Sequence, residues 1–155
     1  MGSTLLTGAT GFVGRQVLKV LLEKGDRVHV VARESSCSEL AAEFPKIEKV
    51  ISVNDVFGQS VQWWAKTCSG VDSIVHLAWY AEPGKYLYSP LNYRCLSGTL
   101  AMAEGALTAK VKHFVGVGTC FEYRMSTNVL RTDSPLDPDT PYSATKIATF
   151  QCLSQ

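Results

Sequence analysis

The chain has 155 residues, 46% of them hydrophobic, and a formal net charge of +1. That length fits one compact domain, and that apolar content excludes intrinsic disorder. The near-neutral charge without a basic run excludes a nucleic-acid partner, and no apolar run is long enough to span a bilayer, so no membrane partner is expected.

Short apolar runs alternate with longer amphipathic ones. Ser3 to Thr7 reads as a buried strand. Phe12 to Glu23 reads as a helix with Val13, Val17, Val20 and Leu21 on one face, stopped by Gly25 and turned by Asp26. Val28 to Ala32 is a second strand, rich in β-branched residues. Ser38 to Glu43 is a short helix, Lys49 to Val53 a third strand, and Ser60 to Lys66 a helix carrying Trp63 and Trp64, a pair expected in core or interface. Ser73 to Leu77 is a fourth strand. Leu91 to Leu107 is a long helix with Leu96, Leu100 and Ala103 on one face. His113 to Val117 is a fifth strand, Phe121 to Pro141 a polar loop, and Tyr142 opens a helix still running at Gln155. Strands separated by helices imply right-handed crossovers and a parallel sheet covered on both faces. The pattern stops inside a helix, one strand short of a complete doubly wound domain, and so reads as a fragment.

Thr7-Gly8-Ala9-Thr10-Gly11-Phe12-Val13-Gly14 joins the first strand to the first helix. Glycines at that spacing and place serve a pyrophosphate. Gly8 permits the tight turn, Gly11 lets the backbone approach the phosphates, and Gly14 lets the helix pack close to the sheet. The helix N-terminus supplies free N–H groups and a positive dipole end. The fold class is therefore α/β, a Rossmann-type doubly wound parallel sheet, with residues 1–155 as a nicotinamide dinucleotide-binding domain. Where a carboxylate at the end of the second strand would bind a ribose 2′-hydroxyl, the chain has Ala32 and Arg33, followed by Glu34. Arg33 suits a 2′-phosphate, which favours NADP over NAD. Asp55 and Val56, after the third strand, are placed to meet an adenine ring; Asp55 reads equally as a helix N-cap.

Tyr142 and Lys146 are spaced i and i+4 on one helix face. An adjacent ammonium favours phenolate, so the pKa of Tyr142 is expected to fall, fitting it to move the proton of a hydroxyl or ketone. The five cysteines, Cys37, Cys68, Cys95, Cys120 and Cys152, are scattered and never form C-x-x-C. They predict reduced thiols in the cytoplasm, and neither a disulfide framework nor a metal site.

With these motifs in place, the chain resembles the extended short-chain dehydrogenase/reductase family, the NAD-dependent epimerase/dehydratase type that modifies nucleotide sugars. The resemblance is carried by Thr7 to Gly14, Asp55-Val56, His76-Leu77-Ala78, Gly98-Thr99, Val117-Gly118-Thr119, and Tyr142 with Lys146. It implies that Tyr142 is the acid/base and that Lys146 lowers its pKa and holds the nicotinamide ribose. It also implies that Thr119 hydrogen-bonds the reacting oxygen and that Ala78 lines the cofactor channel. A nucleotide-sugar substrate follows, as do a substrate pocket built largely by a further C-terminal region and a homodimer formed through helices near 91–107 and 142–155.

The departures narrow the reading. Where dehydratases of this family resemble one another in an acidic pair, the chain has Cys120 and Phe121. A helix asparagine of the family is Cys95 here, while Tyr123 matches a family aromatic and Glu122 reads as a loop carboxylate. A 4-keto-6-deoxy-sugar ketoreductase or 4-dehydrogenase is the first reading, a nucleotide-sugar epimerase with tightly held NAD the second, and a non-catalytic cofactor-binding fragment the third. Trp79, Tyr80, Tyr86 and Tyr88 surround a loop where either sugar stacking or ordinary packing is expected. His76 is expected to be a packed, hydrogen-bonded histidine. Pro135, Pro138 and Pro141 are expected to stiffen the loop that delivers Tyr142.

Overall fold

In the computed structural model, which describes residues 2–124 and 129–155, strand β1 (Ser3–Thr7) is buried along its whole length. It pairs in parallel with β2 (Arg27–Arg33) on one side and β4 (Ser73–His76) on the other; β3 (Lys49–Val53) and β5 (His113–Gly116) complete a sheet of order β3-β2-β1-β4-β5. All pairings are parallel, as the alternation with helices requires. The register sets Thr7 opposite both Val31 and His76.

Successive β1 side chains point to opposite faces and seed two cores. Leu5 joins Val31, Ile74, Trp64 of α3 (Val61–Thr67) and Met102 of α4 (Leu91–Thr108). Leu6 joins Val30, Leu18 of α1 (Phe12–Glu23) and Leu40 of α2 (Glu34–Glu43). A final helix, α5 (Pro141–Leu153), packs against α4. Short 3-10 turns lie at Val56–Gly58, Tyr86–Tyr88 and Cys120–Glu122.

Two helices turn to the core on faces that differ in part from those expected. In α1, Val17 and Leu21 pack against the core as expected, but Val13 and Val20 are 56% and 47% exposed and the buried residues are Gly14 and Leu18. In α4 the buried stripe is Asn92, Cys95, Gly98, Thr99, Met102, Gly105 and Ala106, while Leu96, Leu100 and Ala103 lie beside it. The reason is close approach. A Cβ on Gly98 would lie 2.5 Å from the Phe57 backbone, and one on Gly105 2.4 Å from the Trp64 Cβ. Small residues therefore mark the contact line, and bulkier ones flank it.

Boundaries also move. β2 is one residue longer at each end than expected, and α2 follows it without a loop, starting at Glu34 instead of Ser38. Its Ser35 and Ser36 are weak helix formers, which hid the first turn from a reading by propensity. α1 does end at Gly25, where Asp26 N–H bonds the Leu21 carbonyl at 3.2 Å and Gly25 N–H the Leu22 carbonyl at 3.2 Å. α5 starts one residue early, capped by Thr140 with Pro141 in its first turn, and ends at Leu153 rather than running to Gln155. The polar stretch 121–141 holds a turn and a Tyr123–Leu136 bridge; its residues 125–128 lie outside the described residues. Among the described residues no helix is long and apolar enough to cross a membrane.

Candidate active site

The chain leaves β1 for β2 and β3 on one side and returns with β4 and β5 on the other, so a crevice opens beyond the carboxyl ends of β1 and β4. The glycine turn closes its floor. Gly8 takes φ +75°, and a Cβ there would stand 2.6 Å from Ala78 N. A Cβ on Gly14 would stand 1.9 Å from the Gly8 carbonyl oxygen, which fixes α1 directly on the turn. Gly11 is the N-cap of α1; no side chain caps this helix and its first turn carries no acid. The leading N–H groups of α1 have neither an intrahelical partner nor a side-chain one among the described residues.

A cleft of about 770 Å³ lies above this turn. Its wall contains Gly8, Thr10, Gly11, Phe12, Val13, Gly14, Arg33, Asp55, Val56 and Ala78, all ten of the residues expected at a dinucleotide outside the last helix. Phe12, 90% exposed, presents an apolar ring at the mouth instead of joining the core. Arg33 is exposed at the end of β2. Asp55 does cap a turn, accepting from Phe57 N at 2.9 Å, and its other oxygen meets the Arg94 guanidinium at 3.0 Å. Arg94 lines the same cleft, as do Trp79, Tyr80 and Cys95.

His76 ties the cleft wall to the core. Thr99 Oγ1 donates to the Cys95 carbonyl at 2.7 Å, so it accepts from His76 Nε2–H at 3.0 Å. His76 Nδ1 is then the acceptor for the Thr7 hydroxyl at 2.7 Å, and that oxygen in turn accepts from Ala78 N–H at 3.3 Å. Every proton in the relay is assigned, and it leaves no room for an imidazolium. Burial, helped by the Lys146 charge, lowers the His76 pKa from 6.5 to about 3. The unfolded chain therefore binds the extra proton between those values, and stability present above pH 6.5 is lost as pH falls towards 3. The expected slope from this group is up to ~1.4 kcal/mol per pH unit. Urea unfolding at pH 7, 6 and 5 checks it, with His76→Asn showing a shallower slope; identical slopes would refute the assignment.

Thr119, Tyr142 and Lys146 come together beside the cleft but are not in its wall. Thr119 caps the turn Cys120–Glu122, and the buried Glu122 carboxylate accepts from Thr119 N–H at 2.7 Å, so Glu122 fixes Thr119 instead of lying free in a loop. Thr119 stands near enough to Tyr142 to favour its ionised form. Tyr142 stands edge-on to Tyr86, with ring centroids 4.8 Å apart at 88°. Lys146 is buried; its ammonium donates to the Val117 carbonyl at 2.7 Å and lies 4.0 Å from the centroid of the Trp79 ring.

The titration expected of Tyr142 is corrected here. Its pKa is raised, by burial first, with Thr119 pulling the other way and the neighbouring Tyr86, Glu122 and Cys120 adding to the rise. The ammonium expected to lower it is spent on the Val117 carbonyl and the indole, and Lys146 itself is brought by burial from 10.5 to about 8.

The sequence reading missed Asn92, Arg94 and the roles of Trp79 and Glu122. Only Glu122 had a local signal, the Thr-x-x-Glu of a capping box. Of the loop aromatics, Trp79 and Tyr86 are engaged with Lys146 and Tyr142, and Tyr88 is 72% exposed. Among the described residues no three His, Cys, Asp or Glu side chains are grouped to hold a metal ion.

The model of the NAD dependent epimerase/dehydratase family matches residues 4–155. The chain is similar to the UDP-glucose 4-epimerase of Neisseria meningitidis serogroup B, at 25% identity over 94% of this chain and 45% of that protein. It is similar to the dTDP-6-deoxy-L-talose 4-dehydrogenase (NAD(+)) of Aggregatibacter actinomycetemcomitans, at 27% identity over 92% of this chain and 50% of that one. The UDP-glucose 4-epimerase of Bifidobacterium longum, solved with NAD+ and UDP, shares the fold at TM-score 0.80 and 20% identity, over 98% of this chain and 48% of that one. The chain thus spans about half the length of these relatives.

Proposed function

The chain belongs to the NAD dependent epimerase/dehydratase family, and from that premise we propose that it is the dinucleotide-binding half of a cytoplasmic oxidoreductase acting on a nucleotide-activated sugar, a 4-keto-6-deoxy-sugar ketoreductase or 4-dehydrogenase. The observation that carries the reading is convergence. The glycine turn, Arg33, Asp55, Val56 and Ala78 line one cleft at the switch point, and Trp79 joins that cleft to Lys146.

The cleft fits the cofactor. Uncapped N–H groups at the α1 terminus suit a pyrophosphate, and no Cβ narrows the turn at Gly8, Gly11 or Gly14. Phe12, Val13 and Ala78 give an apolar wall, and lining by Asp55 and Val56 supports their assignment to the adenine end. When bound, the cofactor supplies a hydride acceptor or donor. Tyr142 then gives or takes the proton of the sugar oxygen, Thr119 hydrogen-bonds that oxygen, and Lys146 holds positive charge beside the ribose and Tyr142. Cys120 and Phe121 stand where dehydratases resemble one another in an acidic pair, which speaks against an elimination. The UDP-glucose 4-epimerase likeness supports a second reading, an epimerase; it would copurify with its cofactor and show no net nicotinamide turnover. We also propose a homodimer through α4 and α5, where Leu107 and Phe150 are 77% and 58% exposed; sedimentation of a monomer alone would reject it.

Arg33 supports NADP, although both relatives described with a cofactor are described with NAD. It is exposed, lines the cleft, and pairs with no carboxylate among the described residues. Calorimetric titration is expected to show tighter NADPH than NADH, by about tenfold or more for one charge-assisted contact, reversed in Arg33→Asp. Tighter NADH binding by the unsubstituted chain would overturn the NADP assignment.

A further inference from the structure

Lys146 and Tyr142 are held from the cleft side by one connected set of contacts. The Trp79 indole face receives the Lys146 ammonium at 4.0 Å. Its Nε1–H donates to Asn92 Oδ1 at 2.8 Å, and Asn92 is fully buried. The Asn92 amide then donates to the carbonyls of Tyr86, at 2.6 Å, and Ser89, at 2.9 Å. Those bonds fix the turn Tyr86–Tyr88, whose first residue puts its ring on Tyr142. Phe57 packs edge-on against the indole, with ring centroids 6.2 Å apart at 73°.

The set is notable for what it lacks. No carboxylate forms a salt bridge with Lys146 among the described residues. A buried ammonium still needs electrostatic compensation. Here a carbonyl dipole and a π-face touch the ammonium, and the buried Glu122 carboxylate favours it from a distance without forming a salt bridge. A long flexible side chain is thereby confined to one place.

We propose that Trp79 is a positioning residue: its indole, clamped by Asn92, fixes the Lys146 ammonium between the cofactor cleft and Tyr142. This rests on the proposed role of Lys146 at the dinucleotide for its functional consequence, though not for its geometry.

Two measurements separate these. First, the ε-methylene resonances of Lys146 are followed in the 13C-lysine-labelled chain and assigned through Lys146→Met. Lying over an indole, they are expected upfield of the other lysines, to stay upfield in Trp79→Phe, which keeps a ring face, and to move to ordinary lysine positions in Trp79→Leu. Lys146 resonances unmoved by Trp79→Leu would overturn the proposal. Should that variant not fold, Trp79→Phe still decides, because ordinary lysine positions there would overturn it too. Second, NADH affinity is measured for Trp79→Leu, Lys146→Met and the double variant. Trp79→Leu is expected to weaken binding by the factor seen for Lys146→Met, with no further loss in the double variant. Fully additive losses would show that Trp79 acts apart from Lys146 and overturn the proposal. If Lys146→Met alone leaves NADH affinity unchanged, the assigned role of Lys146 at the cofactor falls, while the resonances still decide whether Trp79 positions it.

Discussion

Gly14→Ala is expected to abolish measurable dinucleotide binding and to lower folding stability by about 1–3 kcal/mol, the ordinary cost of overpacking. The added methyl would lie 1.9 Å from the Gly8 oxygen, 2.7 Å from its carbonyl carbon and 2.9 Å from the Ala9 Cα. All three are backbone atoms, so no side chain can rotate away; α1 must lift from the turn. That displacement carries the uncapped N–H groups of the helix away from the place where they converge. Gly11→Ala is the informative control. Its Cβ meets only the Gly8 oxygen, at 3.4 Å, an ordinary contact. It is expected to keep the parent's thermal midpoint while still weakening binding, because its methyl enters the cleft wall. Thermal denaturation with NADH titration checks both. A Gly14→Ala chain with unchanged midpoint and affinity would remove the glycine turn from the site.

In any longer protein that joins this chain to a substrate-binding region, Tyr142→Phe is expected to lower kcat by about 10²–10⁴-fold, the usual worth of a positioned proton donor or acceptor. Only a hydroxyl is lost. The ring contact with Tyr86 survives, so stability and NADH affinity are expected to change little. The pH profile adds a second test. The Tyr142 hydroxyl is biased towards its protonated form by burial, and Lys146 is lowered to about 8. The ammonium is present below that value and is lost as pH rises through it, so an activity that needs the charge falls above about pH 8. A kcat for Tyr142→Phe within twofold of the parent would take the acid/base role from this residue.

Much of this architecture is legible in the residue order, because the rules involved are local. The alternation of β-branched runs with amphipathic ones dictates a parallel α/β sheet, and the spacing of Gly8, Gly11 and Gly14 after β1 dictates where a helix terminus meets a turn. Thr140 followed by Pro141 marks the start of α5. The Tyr142–Lys146 spacing is equally local, being one turn of helix.

What tertiary structure alone decided is which atoms those local elements meet. Helical periodicity put Val17 and Leu21 of α1 at the core correctly but misplaced Val13, Val20 and the α4 contact line, since close packing selects the small residues Gly14, Gly98 and Gly105. The Tyr142 pKa moves up, not down, because burial outweighs a neighbour whose charge is directed elsewhere. Spacing places an ammonium near a phenol but says nothing of the Val117 carbonyl and the Trp79 ring that capture it. Those partners lie 29 and 67 residues away in the chain and reach Lys146 only when the sheet has folded, so the electrostatics of the site belong to the fold and its location to the sequence.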